Sequence, residues 1–393
     1  MNILQIVNRF PTTPLNFESG TVHVVYHISK ELVQRGHDVT ILAPAVRDDI
    51  GGETTPSAPF ILDGIKIHYF PCTIRYNRFY VMPRLIPYFK KNIDAFDIAH
   101  VHDIRSFQSI IMHHYATKQA LPYVSQIHGS YIEPITGYVP KWLLDNLFSR
   151  KVLADSKRVI ALTETETKYY ERCGIARERI DSIGNGIEFS KYQAPESGAF
   201  RKRFGISLDD KVVLYLGRIH RSKGIDLLVE AFSDLRNRFE TVKLVIAGVD
   251  DGYASALRNK VNRLNIDDST LFTGHVDEYD KINAYADADV FVTPRYTGFP
   301  LTFLESCACG TPIVTTRCGD SIDWIDGFVG YVTDYSKKEL AEAIATVLCD
   351  DQTRQRFKDN CRTLAQRFAW PSVVDEIERT YRRAAGNQQQ LLD

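Results

Sequence analysis

Short apolar, β-branched runs alternate with amphipathic helical patterns along almost the whole chain, and this alternation restricts the fold more than any other feature. The spacing predicts strands at Ile3–Val7, Val39–Ala43, Ile65–Phe70, Ile98–His102, Tyr123–Ile127 and Val159–Leu162, then at Val212–Leu216, Leu244–Ala247, Thr270–Phe272, Val290–Thr293 and Ile313–Thr315. Runs this short and this apolar suit strands buried on both faces, as in parallel sheets covered by helices. A chain of 393 residues is too long for one such core, so two sheets are expected. The stretch Asn185–Gly205, rich in polar residues with glycine and proline, reads as the linker. The expected division is therefore residues 1–190, residues 191–370, and a terminal segment 371–393 holding an amphipathic helix at Ser372–Ala385 and a frayed GNQQQLLD tail.

Open α/β sheets bind ligands beyond the carboxyl ends of their strands. In the second half, KVVLYLG is followed by RIHRSKG and the amphipathic IDLLVEAFSDL, so Arg218 and Lys223 project from a loop at that edge. Two cations there can neutralise a diphosphate, each charge pair being worth about 4 kcal/mol at 4 Å in a dielectric of about 20. The other reading is a pair of solvated loop charges.

Gly298 to Thr316, GFPLTFLESCACGTPIVTT, carries a second constellation. A glycine turn enters a helix-compatible segment, Leu301–Cys309, whose N–H groups and dipole favour an anion. Glu305 lies among Leu304, Ser306, Cys307 and Ala308, where a carboxylate needs donors. The vicinal hydroxyls of a ribose would serve, and so would a nearby salt bridge or backbone donor. No lone G-x-G-x-x-G fingerprint supports a nicotinamide cofactor.

Composition fits an intracellular enzyme: hydrophobic residues make up 44% of the chain and the net charge of −1 gives no support for nucleic-acid binding. The seven cysteines form no C-x-x-C pair, which suggests reduced thiols and a cytoplasmic setting. MNILQIVNRF lacks the basic start of a secretory leader and reads as a first strand, and no run reaches the roughly 20 apolar residues of a membrane span.

Taken in order, SGTVHVVYHISKELVQRGHDVTILAP, DIAHVHD, SQIHG, IGNGIEF, LGRIHRSKGIDLLVEAF, KLVIAG, LFTGHV and TGFPLTFLESCACGTPIV resemble the family-four retaining glycosyltransferases of the GT-B fold, the glycosyl transferases group 1. The resemblance covers nearly the whole chain. It implies two Rossmann-like, doubly wound α/β domains facing a central cleft, with the last helix crossing back to the first domain. It further implies transfer of a hexose from a nucleotide diphosphate sugar to a glycan or lipid-linked acceptor, with no metal.

The resemblance assigns the donor to Gly20, Gly248, Gly274, His275, Val276, Thr297, Gly298, Phe299, Pro300, Leu301, Thr302 and Glu305, with the base against backbone of Phe272–Val276 and the ribose on Glu305. Arg218 and Lys223 take the diphosphate, and His128 faces the transferred sugar. The Ser19–Gly20 loop faces the phosphate and sugar, although a simple N-cap and turn would look the same. One position departs from the family pattern. Its E-x7-E pair is reduced here to Glu305, with Thr297 in place of the first acid, which weakens sugar-hydroxyl recognition.

His100 and His102 alternate in IAHVHD and share a strand face, with Asp103 at the strand end. His102, Asp103 and Arg105 are expected to contact the acceptor rather than a metal, since no third ligand is evident. Residues 65–93 contain Lys66, Arg75, Arg78, Arg84, Lys90 and Lys91, seven aromatics and no acid. That mixture suits peripheral contact with an anionic lipid surface at the inner face of a membrane, or equally a core strand followed by a solvated helix. A nucleotide-sugar epimerase, a sugar phosphorylase and a catalytically silent nucleotide-binding subunit are the competing readings. Uridine and guanosine donors both fit.

Overall fold

The apolar runs form strands in the computed structural model, which describes residues 1–11, 20–46, 58–76, 79–129, 131, 144–320 and 322–386. These residues divide into two units, Met1–Gly186 with the segment from Trp370 onward, and Ile187–Ala369.

The first unit contains β1 (Asn2–Ile6), β2 (Asp38–Ala45), β3 (Phe60–Leu62), β4 (Ile65–Pro71), β5 (Ile74–Tyr76), β6 (Phe79–Val81), β7 (Ile98–Val101), β8 (Tyr123–Gln126), β9 (Arg158–Ala161) and β10 (Ile180–Ser182). Among the described residues, eight of these form a sheet in the order β10-β9-β8-β7-β1-β2-β4-β3, and β5 pairs with β6 alone. All neighbours in the sheet are parallel except the β3–β4 pair. The order reverses at β1, between β2 and β7, which opens a crevice at the carboxyl ends of β1 and β7. Helix Gly20–Gln34 buries Val22, Val25, Ile28 and Leu32, as its periodicity predicts.

Helix Trp370–Ala384 belongs to this unit, and its chemistry shows why. The Trp370 indole stacks on His27 with the planes 2° apart, and lies so close to Gly186 that a Cβ there would fall 2.4 Å from the ring. Arg35 donates to Asp375 at 2.5 Å and to Glu378 at 2.8 Å, and Glu378 also meets His37. Thr380 and Arg383 donate to Asp181 at 2.9 and 3.0 Å. The apolar stripe of Val373, Val374, Ile377 and Tyr381 is buried.

The second unit contains β11 (Lys211–Leu216), β12 (Val242–Ala247), β13 (Thr270–Gly274), β14 (Val290–Thr293), β15 (Ile313–Thr316) and β16 (Gly330–Thr333). They form an all-parallel sheet ordered β13-β12-β11-β14-β15-β16, reversing between β11 and β14. Helix Ile225–Arg236 packs Leu227, Leu228, Ala231, Phe232 and Leu235 into the core at the predicted spacing.

Two expectations change. The unit boundary falls between Gly186 and Ile187 rather than at 190/191, and much of the expected linker is built structure. Phe189–Tyr192 is a 3₁₀ turn and Ala199–Phe204 a helix, because Asp287 accepts from the Gly198 and Arg201 amides at 2.6 and 3.1 Å and so caps that helix from outside. The strands β3, β5, β6, β10 and β16 were not predicted. Each lies at a sheet edge or in the separate β5–β6 pair and is mostly half-buried or exposed, so burial does not impose the apolar run that marks the central strands.

Candidate active site

In the second unit the loops after β11 and β14 leave the sheet at its reversal point, and they carry the predicted residues. The carboxyl edge is drawn tight by glycine. Gly217 donates to the Ala247 carbonyl at 3.0 Å and Gly248 to the Gly274 carbonyl at 2.8 Å. A Cβ at Gly248 would lie 1.9 Å from the Gly217 carbonyl oxygen, so only glycine lets these two loops approach. Beyond them, the Tyr215 hydroxyl donates to the Arg218 carbonyl at 2.8 Å and fixes the backbone there. The Arg218 guanidinium is exposed and pairs with Asp251 at 2.6 Å. Lys223 is half-buried, and both burial and the Arg218 charge lower its pKa. Arg295 donates its amide to the Lys223 carbonyl at 3.2 Å, which holds the β14 loop against the β11 loop.

Glu305 sits in helix Leu301–Ala308, its side chain 14% exposed. Lys281 approaches Oε1 at 2.9 Å, the Tyr192 hydroxyl donates to Oε1 at 3.2 Å and the Tyr285 hydroxyl to Oε2 at 3.1 Å. Burial pulls the Lys281 pKa down, but the Glu305 and Glu278 charges and hydrogen bonds outweigh it and leave the ammonium firmly protonated. Burial and the Glu305 charge likewise push both tyrosines far up. The carboxylate thus has protein donors on both oxygens. Lys281 and Tyr285 were legible only as an i, i+4 pair on helix Glu278–Asp287, and Tyr192 lay inside the expected linker.

The glycine turn departs from its expected use. Gly298 has φ +66°, which suits glycine, but its amide donates to Asp320 Oδ2 at 2.5 Å instead of standing open to an anion. The Tyr296 hydroxyl donates to the Asp320 carbonyl at 2.7 Å and locks the two loops together. Burial raises the Asp320 pKa while the Gly298 hydrogen bond opposes it. Thr297 is exposed, Phe299 is buried and in ring contact with Trp324 and Phe368, and Pro300, Leu301 and Thr302 are half-buried at the helix start. His275 is exposed and Val276 half-buried beyond β13.

In the first unit, His128 follows β8 with φ +49°, a backbone conformation uncommon outside glycine. The next residue, Gly129, donates to Glu166 Oε1 at 2.5 Å, and Leu162 donates to Oε2 at 2.7 Å. Glu166 is fully buried and clamps the turn from below. His128 Nε2 lies 3.0 Å from His102 Nδ1, and His102 Nε2 lies 2.7 Å from Gln5 Oε1. Burial holds His128 down to about 4, His100 down to about 3 with help from the His128 charge, and His102 well below its usual value.

Two of the residues expected to meet an acceptor are engaged within the protein. His102 is only 2% exposed, with Nδ1 against His128 and Nε2 against Gln5. Arg105 is spent on Asp145, at 2.7 and 3.1 Å, and on the Tyr131 carbonyl at 2.6 Å. Asp103 accepts the Arg105 amide at 2.8 Å and so shapes the turn. Gly20 is exposed at the start of its helix, and Ser19 lies outside the described residues.

The basic, aromatic stretch 65–93 is of two kinds. Tyr69, Phe70 and Phe89 are core residues, whereas Ile74, Tyr76 and Ile86 are 59%, 53% and 40% exposed, alongside exposed Arg75, Arg84, Lys90 and Lys91. Arg78 lies outside the described residues. No helix among the described residues is long and apolar enough to cross a membrane.

Comparison with known proteins agrees with this architecture. Residues 196–364 match the family of glycosyl transferases group 1 and residues 19–191 match glycosyltransferase family 4. A D-inositol 3-phosphate glycosyltransferase from Saccharomonospora viridis is 28% identical over 60% of this chain, a match spanning 57% of that protein's length. One of the same description from Acidothermus cellulolyticus is 26% identical over 95% of this chain and 88% of its own. Among solved structures, Anabaena Alr3699/HepE in complex with UDP superposes with a TM-score of 0.72 at 18% identity, covering 97% of this chain and 99% of that one. The same protein in complex with UDP-glucose gives a TM-score of 0.69 at 20% identity over the same shares. With its two halves matching the two family models in order on a GT-B fold, this chain belongs to the group 1 glycosyltransferases.

Proposed function

We propose that the protein moves a hexose from a nucleotide diphosphate sugar to a glycan or lipid-linked acceptor, with retention at the anomeric carbon and without a metal. The observation that carries this reading is the placement of Arg218 and Lys223 on the loop that leaves β11 at the sheet reversal, where burial and, after it, the Arg218 charge lower the Lys223 pKa. Such a pair suits a diphosphate leaving group, and stabilising that charge is the main catalytic demand. In the proposed step the bond from the anomeric carbon to the phosphate oxygen breaks and a bond to the acceptor oxygen forms on the same face. The acceptor's proton passes to the departing phosphate, so no separate protein base is needed.

Glu305 would take the ribose hydroxyls, with Tyr192 as the donor most readily displaced because its 3.2 Å contact is the longest of the three. The base would lie along Phe272–Val276 and the sugar would meet His128. HepE, of the same fold, is solved with UDP and with UDP-glucose, which favours a uridine donor here. The setting we infer is cytoplasmic, with Ile74, Tyr76 and Ile86 and their basic neighbours touching an anionic membrane face.

A panel of uridine, guanosine and adenosine diphosphate sugars, assayed for nucleotide release with chelator present and with or without a crude lipid-phosphate extract, tests the reading. Release that survives chelation and rises with extract supports metal-independent transfer. Thermal stabilisation by nucleotide with no release would instead support a silent binding subunit, which the neutral Thr297 makes the second choice. Flotation on liposomes with no dependence on anionic lipid would remove the membrane contact.

A further inference from the structure

A continuous polar chain crosses the interior of the first unit beneath His128. It begins at the Tyr381 hydroxyl on the C-terminal helix, which is 2.7 Å from His100 Nδ1 and accepts from Gln5 Nε2 at 3.4 Å. It continues through Gln5 Oε1 to His102 Nε2 at 2.7 Å and from His102 Nδ1 to His128 Nε2 at 3.0 Å. Gln5, His100 and Tyr381 are fully buried and His102 nearly so.

The chain has a direction. A glutamine amide presents donors at nitrogen and an acceptor at oxygen, and a neutral imidazole carries one N–H and one lone pair. With the Gln5 nitrogen toward Tyr381, its oxygen faces His102 Nε2, which must carry the hydrogen. His102 Nδ1 is then an acceptor, and the hydrogen shared with His128 must belong to His128 Nε2. That leaves a lone pair on His128 Nδ1, the ring nitrogen with no partner among the described residues. Burial keeps His102 and His128 uncharged, so a second hydrogen does not blur the assignment.

We infer that Gln5 and His102 are positioning residues that hold His128 as its Nε2–H tautomer, so that the site offers a ligand hydroxyl an acceptor at Nδ1 rather than a donor. The role in transfer rests on the reading under Proposed function; the tautomer itself does not. The αL turn supports the assignment, because Glu166 fixes the His128 backbone and His102 fixes the ring, leaving the imidazole little freedom to turn. Reversing the Gln5 amide would reverse every bond in the chain and put a hydrogen on Nδ1. Gln5, on β1 beside β7, is therefore the selector, although 97 residues separate it from His102.

The test is a long-range proton–nitrogen spectrum of the full-length protein labelled at histidine nitrogens, with His128 identified by the signals lost in His128→Asn. The wild type should show hydrogen on Nε2 alone. His102→Leu removes the acceptor and should give His128 mixed tautomers, whereas His102→Asn places an amide oxygen near the lost Nδ1 and should restore the single form. Gln5→Leu, at the other end, should scramble His102 without touching His128 directly, and serves if His102→Leu does not fold. With a competent donor, His102→Leu should lower kcat by about tenfold with little change in KM, and His102→Asn should recover most of it. Hydrogen on Nδ1 in the wild type, or an unaltered His128 in His102→Leu, would overturn the inference. Correct tautomers in a protein that turns over no donor would leave it standing and sink the transferase reading instead.

Discussion

Asp320 accepts the Gly298 amide at 2.5 Å, so a carboxylate of the protein's own occupies the turn that leads into helix Leu301–Ala308. A donor phosphate entering there would meet a like charge. Asp320→Ala should therefore tighten UDP binding by about tenfold, or about 1.4 kcal/mol. Because burial raises the Asp320 pKa, protonation begins at a higher pH than for a free carboxyl, and the wild type should approach the variant as pH falls. Calorimetric titration with UDP at neutral and mildly acid pH measures both. Equal affinities at both pH values would show that the phosphate avoids this turn.

Removing Glu305 should cost stability as well as binding. Glu305→Ala leaves the Tyr192 and Tyr285 hydroxyls without their acceptor, while Lys281 keeps Glu278 at 2.8 Å. The expected loss is about 2–3 kcal/mol in denaturant unfolding. Tyr192→Phe should be milder, and should leave nucleotide affinity unchanged or improved if ribose displaces that hydroxyl. Weaker nucleotide binding by Tyr192→Phe would mean the tyrosine itself contacts the ligand.

Arg218→Ala and Lys223→Ala should each lower donor turnover by about 100-fold, roughly 2.7 kcal/mol of transition-state stabilisation, with a much smaller effect on acceptor KM. The Arg218–Asp251 pair is mostly exposed, so Arg218→Ala should barely move the melting temperature. A parallel fall in donor turnover and acceptor affinity would contradict the leaving-group role.

The histidine chain gives stability a definite pH dependence. Unfolded, His100, His102 and His128 protonate near 6.5; folded, burial holds His128 down to about 4, His100 down to about 3, and His102 well below 6.5. Between those values the unfolded state binds more protons, so stability is full above about pH 6.5 and is lost as pH falls toward 4, by up to about 1.4 kcal/mol per pH unit for each histidine. Urea unfolding from pH 7 to pH 4.5 should show that slope, reduced in His128→Asn.

Glu166→Gln should loosen the His128 turn. The amide nitrogen of glutamine would face one of the two backbone N–H groups now bonded to the carboxylate, those of Gly129 and Leu162. A loss of about 2–3 kcal/mol is expected, with faster hydrogen exchange at Gly129. Unchanged exchange would show that the turn is held by other contacts.

The sequence by itself determined the secondary structure and its class. Strand β14 was legible as a short apolar run and the buried face of Ile225–Arg236 by its helical period, both written in neighbouring residues, and Gly298 as a turn because a positive φ is a local demand; Gly248 was placed only by the resemblance, and what requires glycine there is the Gly217 carbonyl from another loop. Only the tertiary structure decided what the polar side chains do. Glu305 finds Tyr192 across 113 residues, Gly298 finds Asp320 across 22, and Gln5 meets Tyr381 across 376. Arg105 and His102, which looked open to an acceptor, are taken by Asp145, Gln5 and His128. A buried polar group must be paired, but any of several partners satisfies that demand, and only the packing of the sheet chooses among them.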